Sequence, residues 1–346
     1  MRIVRDLSVG ILFVVGLMSV AGAAETLELG GARLALPGGL QAGAAYVPED
    51  NPPTAEGIAL GRLLYFDGRL SKDGTVSCAT CHDPAHGFAE PRKTSTGVGG
   101  QIGARNAPTV VNRLFSKEQF WDGRAEDLEA QAVGPLINPI EMAMPSHEAV
   151  VAVVAGIAGY AEPFEQAFGS PEVTIDRIGK AIASYERTVV SGNSPYDRHQ
   201  AGEKDAMSEA ARRGMAVFNA KGNCMTCHAG FNFTDESYHN LGVGMAASEP
   251  DLGRYEVTKA DVDRGAFKTP TLREIAVTSP YMHDGSVPTL VSVIELYDRG
   301  GESNRWLSKE MRPLGLSEGE KADLLAFLHA LSGELRGLGA PASLPR

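Results

Sequence analysis

All four cysteines of this chain fall in two copies of one pattern, Cys-x-x-Cys-His. The copies read Cys78-Ala79-Thr80-Cys81-His82 and Cys224-Met225-Thr226-Cys227-His228. Two thiols spaced this way, with an imidazole directly after the second, match the covalent attachment site of a c-type haem. The thiols add to the haem vinyl groups, and the histidine is placed to ligate iron through a ring nitrogen. A zinc site or a redox dithiol would account for the cysteines but not for a histidine after each pair. The spacing predicts two covalently bound haem c groups, one on Cys78, Cys81 and His82, the other on Cys224, Cys227 and His228. No cysteine is left for a disulfide.

The elements that must hold two haems are written twice in the chain. With Pro108-Thr109 set on Pro270-Thr271, an offset of 162, Asp122-Gly123 falls on Asp284-Gly285 and Leu128 on Leu290, without a gap. Upstream, Gly61-Arg62-Leu63-Leu64-Tyr65-Phe66 precedes the first haem motif, and Arg213-Gly214-Met215-Ala216-Val217-Phe218 precedes the second. Each half therefore carries a helix, a haem motif, a Pro-Thr loop and an Asp-Gly turn in the same order. The expected fold is all-α: two cytochrome c-like haem domains in tandem, related by an internal pseudo-twofold repeat and joined by long loops. Ile175, Ile178, Ile182 and Tyr185 recur at helical spacing. Ser317 and Glu320 make a capping box ahead of Leu324, Leu325, Leu328 and Leu331. No run alternates convincingly enough for a strand. The Gly/Pro-rich stretch from Thr94 to Pro108 reads as a loop able to wrap a haem edge. Gly192, Asn193, Ser194 and Pro195 interrupt the helical pattern. They place a boundary between a first domain at 45–200 and a second at 201–335. The tail from Gly337 is expected to be loose.

At 346 residues the chain is long enough for two domains. Arg2 and Arg5 precede an apolar run from Val9 to Val20, which ends in Ala21-Gly22-Ala23-Ala24. This reads as a cleavable signal peptide, residues 1–23, and predicts a periplasmic protein. The run is too short to span a bilayer, which makes an uncleaved anchor the weaker alternative. No other segment approaches spanning length, so stable membrane insertion is not expected. The net charge is −11, and it becomes about −12 once Arg2, Arg5 and Asp6 are removed. Such a chain is not expected to bind nucleic acid. Its acidity serves solubility or attracts a basic electron donor.

The two copies differ at one telling position: Pro135 matches Tyr297. If both lie over the open face of a haem, the first iron keeps a vacant sixth site, because proline offers no ligand. The second is closed by a phenolate oxygen. The alternative is that both are packing residues at equivalent places in a helix.

These residues resemble the bacterial dihaem cytochrome c peroxidase family and, within it, the MauG branch. The resemblance runs from about Pro52 to Leu331. It rests on Cys78–His82 followed by Asp83-Pro84, on Arg105-Asn106-Ala107-Pro108-Thr109, and on Phe120-Trp121-Asp122-Gly123-Arg124. It continues through Asn138-Pro139-Ile140-Glu141-Met142, the second haem motif and Pro280-Tyr281-Met282-His283-Asp284-Gly285. The resemblance implies that His82 ligates the peroxidatic haem and His228 the electron-transfer haem. It makes Glu141 the distal acid–base residue, which takes a proton from hydrogen peroxide and returns it to the departing oxygen so that water leaves. Gln131 becomes a distal polar residue that orients the bound oxygen. Trp121 becomes an aromatic bridge between the haems, where a lone tryptophan would otherwise read as core packing. One calcium ion is implied, held by the Asn106 side chain and the carbonyls of Thr278 and Pro280, with waters completing the shell.

Two departures matter. Family peroxidases that rest with a closed first haem carry a distal histidine eight residues before that asparagine; here the position is Val98. His86 lies too close behind the haem motif to replace it, so the first haem is expected to be open at rest. At the position of Tyr297 those peroxidases place a methionine, and a phenolate stabilises ferric iron more strongly. Met282 and Met245 remain alternative ligands. Both departures point toward the MauG branch, in which a residue of a partner protein is oxidised.

The function expected is a hydrogen-peroxide-dependent oxidoreductase whose electrons come from a small cytochrome c or a copper protein. One alternative is MauG-like oxidation of a protein substrate at the same site. Another is a non-enzymatic electron relay, which would need neither an open iron nor a distal carboxylate. A homodimer is common in the peroxidase branch.

Overall fold

Residues 25–337 and 339–346 are described in a computed structural model of the chain. The expected signal segment lies outside the described residues. Helices form where apolar residues recur at helical spacing. The helix Ile175–Glu186 begins at Thr174, whose side chain accepts from Arg177 N, and it buries Ile178, Ile182 and Tyr185. It packs on the helix Ala55–Tyr65, capped by Thr54. The two backbones meet at Gly61, where a Cβ would stand 1.8 Å from the Ala181 carbonyl oxygen. Only glycine permits that approach. The second half uses the same device. Helix Glu209–Asn219 packs on helix Glu318–His329, and a Cβ on Gly214 would stand 1.9 Å from the Asp323 carbonyl oxygen. The Ser317–Glu320 capping box is present at the start of Glu318–His329. Each helix pair borders an apolar core. One contains Leu60, Leu64, Ile178 and Ile182; the other contains Phe218, Leu324, Phe327 and Leu328. Each such buried side chain contributes about 1.5–3 kcal/mol relative to exposure.

The loops between these helices repeat their backbone at the offset of 162. Asn112 and Glu274 are left-handed, with φ of 62° and 60°. Phe120 and Met282 are left-handed too, at 67° and 73°. Positive φ is uncommon for side-chain-bearing residues, so its recurrence at matched positions is specific. Isolated bridges join Gln119 to Ala125 and Tyr281 to Val287. Helices Leu128–Ile137 and Leu290–Asp298 then start on the matched caps Asp127 and Thr289.

The chain is helix-rich, but the expectation of an all-α fold needs one correction. Three two-stranded antiparallel ribbons are present among the described residues. Thr26–Leu29 pairs with Ala32–Ala35 around Gly30-Gly31, Val190–Gly192 with Glu334–Arg336, and Tyr238–His239 with Phe267–Lys268. Strands of two to four residues are too short to show a period in sequence. They form because tertiary contacts bring their partners alongside. The tail also departs from expectation. Arg62 donates to the carbonyls of Gly339 and Ala340 at 2.7 and 3.0 Å, and Gly159 N donates to Arg346 O at 2.8 Å. Docking against folded surface replaces looseness. No described helix is long and apolar enough to cross a membrane.

Candidate functional site

Each Cys-x-x-Cys-His motif lines its own cavity. The first cavity, of about 410 Å³, takes in Cys78, Cys81 and His82 together with Gln131, Pro135 and Glu141. These residues are spread over about sixty positions of sequence. The short helix Cys78–Cys81 holds the thiols, helix Leu128–Ile137 carries Gln131 and Pro135, and the turn after that helix carries Glu141. The second cavity, of about 200 Å³, takes in Cys224, Cys227, His228, Met282 and Tyr297.

The two histidines are set up alike. His82 Nδ1 lies 2.9 Å from Pro108 O, and His228 Nδ1 lies 3.0 Å from Phe233 O. A carbonyl only accepts, so Nδ1 is the protonated nitrogen and Nε2 keeps the lone pair a metal needs. Burial lowers the pKa of both rings, which favours the neutral, ligating form. Burial also raises the thiols: Cys81 and Cys227 are pushed up to about 11, and Cys224 to about 12. A redox dithiol works by the opposite shift, toward the thiolate. One group with metal-ligand spacing, Cys227, Asp235 and His239, is found among the described residues. It would need the Cys227 sulfur, and His239 Nε2 already meets Asp235 at 2.9 Å.

Glu141 is the unusual group of the first cavity. Its Oε2 is buried without a hydrogen-bond partner. Burial raises its pKa, and Arg124 opposes the shift. Both effects are what a proton-exchanging carboxyl requires. Arg124 is fixed over the Phe120 ring at 3.5 Å and bonded to Asp122 at 3.0 Å. Val98 is buried in the core, its N–H donating to Glu141 O at 2.8 Å. His86 lies on the surface, paired to Asp83 at 2.9 Å. In the second cavity, burial followed by the charges of Cys224 and Cys227 pushes the Tyr297 phenol up, so the ring sits close to both attachment points. Met282 lines this cavity, whereas Met245 packs against Gly265.

Trp121 lines both cavities. Its indole N–H donates to Asn106 O at 2.8 Å, and its own carbonyl accepts from Lys268 N at 2.7 Å. Asn106, Thr278 and Pro280 all line the second cavity. The Asn106 Nδ2 donates to the carbonyls of Glu90 and Arg92 at 3.1 and 2.8 Å. That fixes the amide and leaves Oδ1 as its remaining ligand atom. Trp306 lies apart from both cavities, its indole donating to Asp261 at 3.1 Å.

Sequence reasoning missed Arg113, Glu186 and Lys268, all of which line the first cavity. Only Lys268 had a signal: it stands 162 residues after Asn106, just upstream of the aligned Pro-Thr loops.

Two cavities, each with a thiol pair and a histidine whose Nε2 is free, fit two covalently attached haems, and the comparisons agree. The model of the di-haem cytochrome c peroxidase family matches residues 55–205. The chain is 41% identical to the methylamine utilization protein MauG of Methylorubrum extorquens, over 85% of this chain and 83% of that protein. It is 42% identical to the cytochrome c551 peroxidase of Nitrosomonas europaea over 285 residues, 82% of each chain. A crystal structure of a MauG-like protein associated with microbial copper homeostasis superposes with a TM-score of 0.78 and 34% identity, covering 84% of this chain and 93% of that one. The chain belongs to the di-haem cytochrome c peroxidase family. Its relatives by name include both peroxidases and MauG proteins, so membership alone does not choose between those activities.

Proposed function

We propose that this protein is an exported, periplasmic dihaem oxidoreductase that reduces hydrogen peroxide in its first cavity. The electrons arrive through its second. One observation carries the reading: an acid, Glu141, buried with an unpartnered oxygen in the cavity that also holds Cys78, Cys81, His82 and Pro135. An electron relay has no use for such a group, which costs stability. The overall reaction takes hydrogen peroxide, two electrons and two protons to two waters. The haem, when bound, supplies the iron at which peroxide is held and from which electrons are passed. His82 and His228 would hold the two irons through Nε2. Pro135 offers no ligand atom, so the first cavity stays open to substrate. Glu141 accepts a proton from one peroxide oxygen and returns it to the other, so that the departing group leaves as water. Gln131 orients the peroxide by hydrogen bonding. Trp121 stands between the two cavities and shortens the electron path. Tyr297, which lines the second cavity, would hold the second iron through its phenolic oxygen.

We read the two halves as tandem cytochrome c-like domains of an internal repeat. The matched backbone at an offset of 162 supports this. Calcium is assigned to Asn106 Oδ1 with the carbonyls of Thr278 and Pro280, an all-oxygen set that suits this ion. The electron donor is a small cytochrome c or copper protein. A second reading, oxidation of a residue on a partner protein, is favoured by Val98 and Tyr297, the positions where the chain leaves the closed-haem peroxidase pattern. Low-temperature electron paramagnetic resonance of the oxidised holoprotein tests the shared site. One high-spin and one low-spin ferric signal are expected, both lost on stoichiometric peroxide. Two low-spin signals indifferent to peroxide would refute the open first site.

A further inference from the structure

The peroxide reading leaves unused a pair of buried cations. Arg113 lines the first cavity with its side chain 11% exposed. Its Nε is buried and meets no acceptor. The Glu236 carboxylate stands 3.9 Å from its Nη2, beyond hydrogen-bond reach. Lys268 lines both cavities and is 5% exposed. Its ammonium donates to Glu118 O and, at 3.3 Å, to Glu236 Oε2. Burial, and then repulsion from Arg113, pull its pKa down to about 8.

The local charges do not close. Arg113 and Lys268 share one carboxylate, Glu236, which also accepts from Ser116 Oγ at 2.7 Å. Glu118 is engaged elsewhere, accepting from Tyr238 and pairing with Arg254. Glu186 also lines the first cavity, but its burial raises its pKa and so disfavours the charge that would offset the two cations. Buried charge without full compensation is unfavourable unless a ligand completes it. What completes it must be an anion presented from inside the cavity. A haem on Cys78 and Cys81 carries propionate carboxylates. A guanidinium and an ammonium are the two side chains that bind carboxylates most strongly.

We infer that Arg113 and Lys268 form the binding site for a carboxylate side chain of the haem attached at Cys78 and Cys81. This rests on the reading that the first cavity holds that haem. The site also sets a redox property. Ferric haem carries one more positive charge than ferrous haem, so a cation beside it disfavours the ferric state and raises the potential. Lys268 occupies in the second half the place that Asn106 holds in the first. One half thus carries an amide at this position and the other an ammonium.

Potentiometric titration of the holoprotein, with each haem followed by its own spectrum, tests this. Mass spectrometry first counts the attached haems. Arg113→Gln and Lys268→Met should each lower the midpoint potential of the first haem, while Lys268→Arg keeps it near the parent's. Arg113→Gln should leave the second haem unmoved, because Arg113 lines only the first cavity. Two attached haems with an unshifted first potential in Arg113→Gln would overturn the inference, whether or not Lys268→Met matures. A purified parent protein with no haem on Cys78 and Cys81 would overturn the cavity assignment, and the site with it.

Discussion

Replacing Glu141 with Gln separates a catalytic carboxyl from a structural one, because the two roles predict opposite changes in stability. The substitution keeps shape and removes the acid. If Glu141 moves the peroxide proton, turnover should fall by roughly 10²–10⁴. That corresponds to about 3–5 kcal/mol of lost transition-state stabilisation. Stability should not fall with it. Glu141 Oε2 is buried with no partner, a situation that costs about 1–3 kcal/mol, and the neutral amide relieves the charged part of that cost. The pH dependence follows from the direction of the shift. Burial raises the folded-state pKa of Glu141. Below the unfolded-state value both states are protonated and no penalty exists. As pH rises through the interval between the unfolded and folded values, the penalty grows, and above the folded value it is constant. The variant should therefore match the parent in acid and equal or exceed it in thermal stability at neutral pH. The assays are peroxide turnover with a reduced donor cytochrome and thermal unfolding of the holoprotein at two pH values. Unchanged turnover with both haems intact would refute the acid–base role. A fall in stability at neutral pH would show that the carboxylate is structural.

Tyr297→Phe should change the spectrum of the second haem while leaving the first as in the parent. An unaltered second haem would remove the phenolic oxygen as a ligand. Asp197→Ala should be severely destabilising. Asp197 accepts from Arg273 at 2.7 and 2.9 Å, and the side chains are 3% and 0% exposed. Stranding a buried guanidinium costs about 3–5 kcal/mol, a drop in Tm on the order of 10 °C, readable by calorimetry.

The haem chemistry was legible because covalent attachment is local. Two thiols and a histidine within five residues can serve one haem without help from distant parts of the chain. The close helix contacts had a local signal too, since Gly61 and Gly214 stand in similar segments ahead of each motif and each lets two helices touch. The ribbons had none: Val190–Gly192 finds its partner at Glu334–Arg336, and a three-residue strand has no period to read. Glu141 carried no local mark that distinguished it from a surface acid. Only the family pattern singled it out, and only the structure shows its oxygen buried without a partner.

By itself the sequence pointed to two haems, to the residues expected to attach them, and to a plan written twice along the chain. Those readings rest on covalent chemistry and on patterns along the chain. The tertiary structure decided what depends on residues meeting across long separations. It brought Glu141 into the cavity of Cys78 and His82, set Trp121 between both cavities, and placed Arg113 and Lys268 around a single shared carboxylate. Burial and charge balance are properties of an enclosed space, and that space exists only once the distant segments have closed around it.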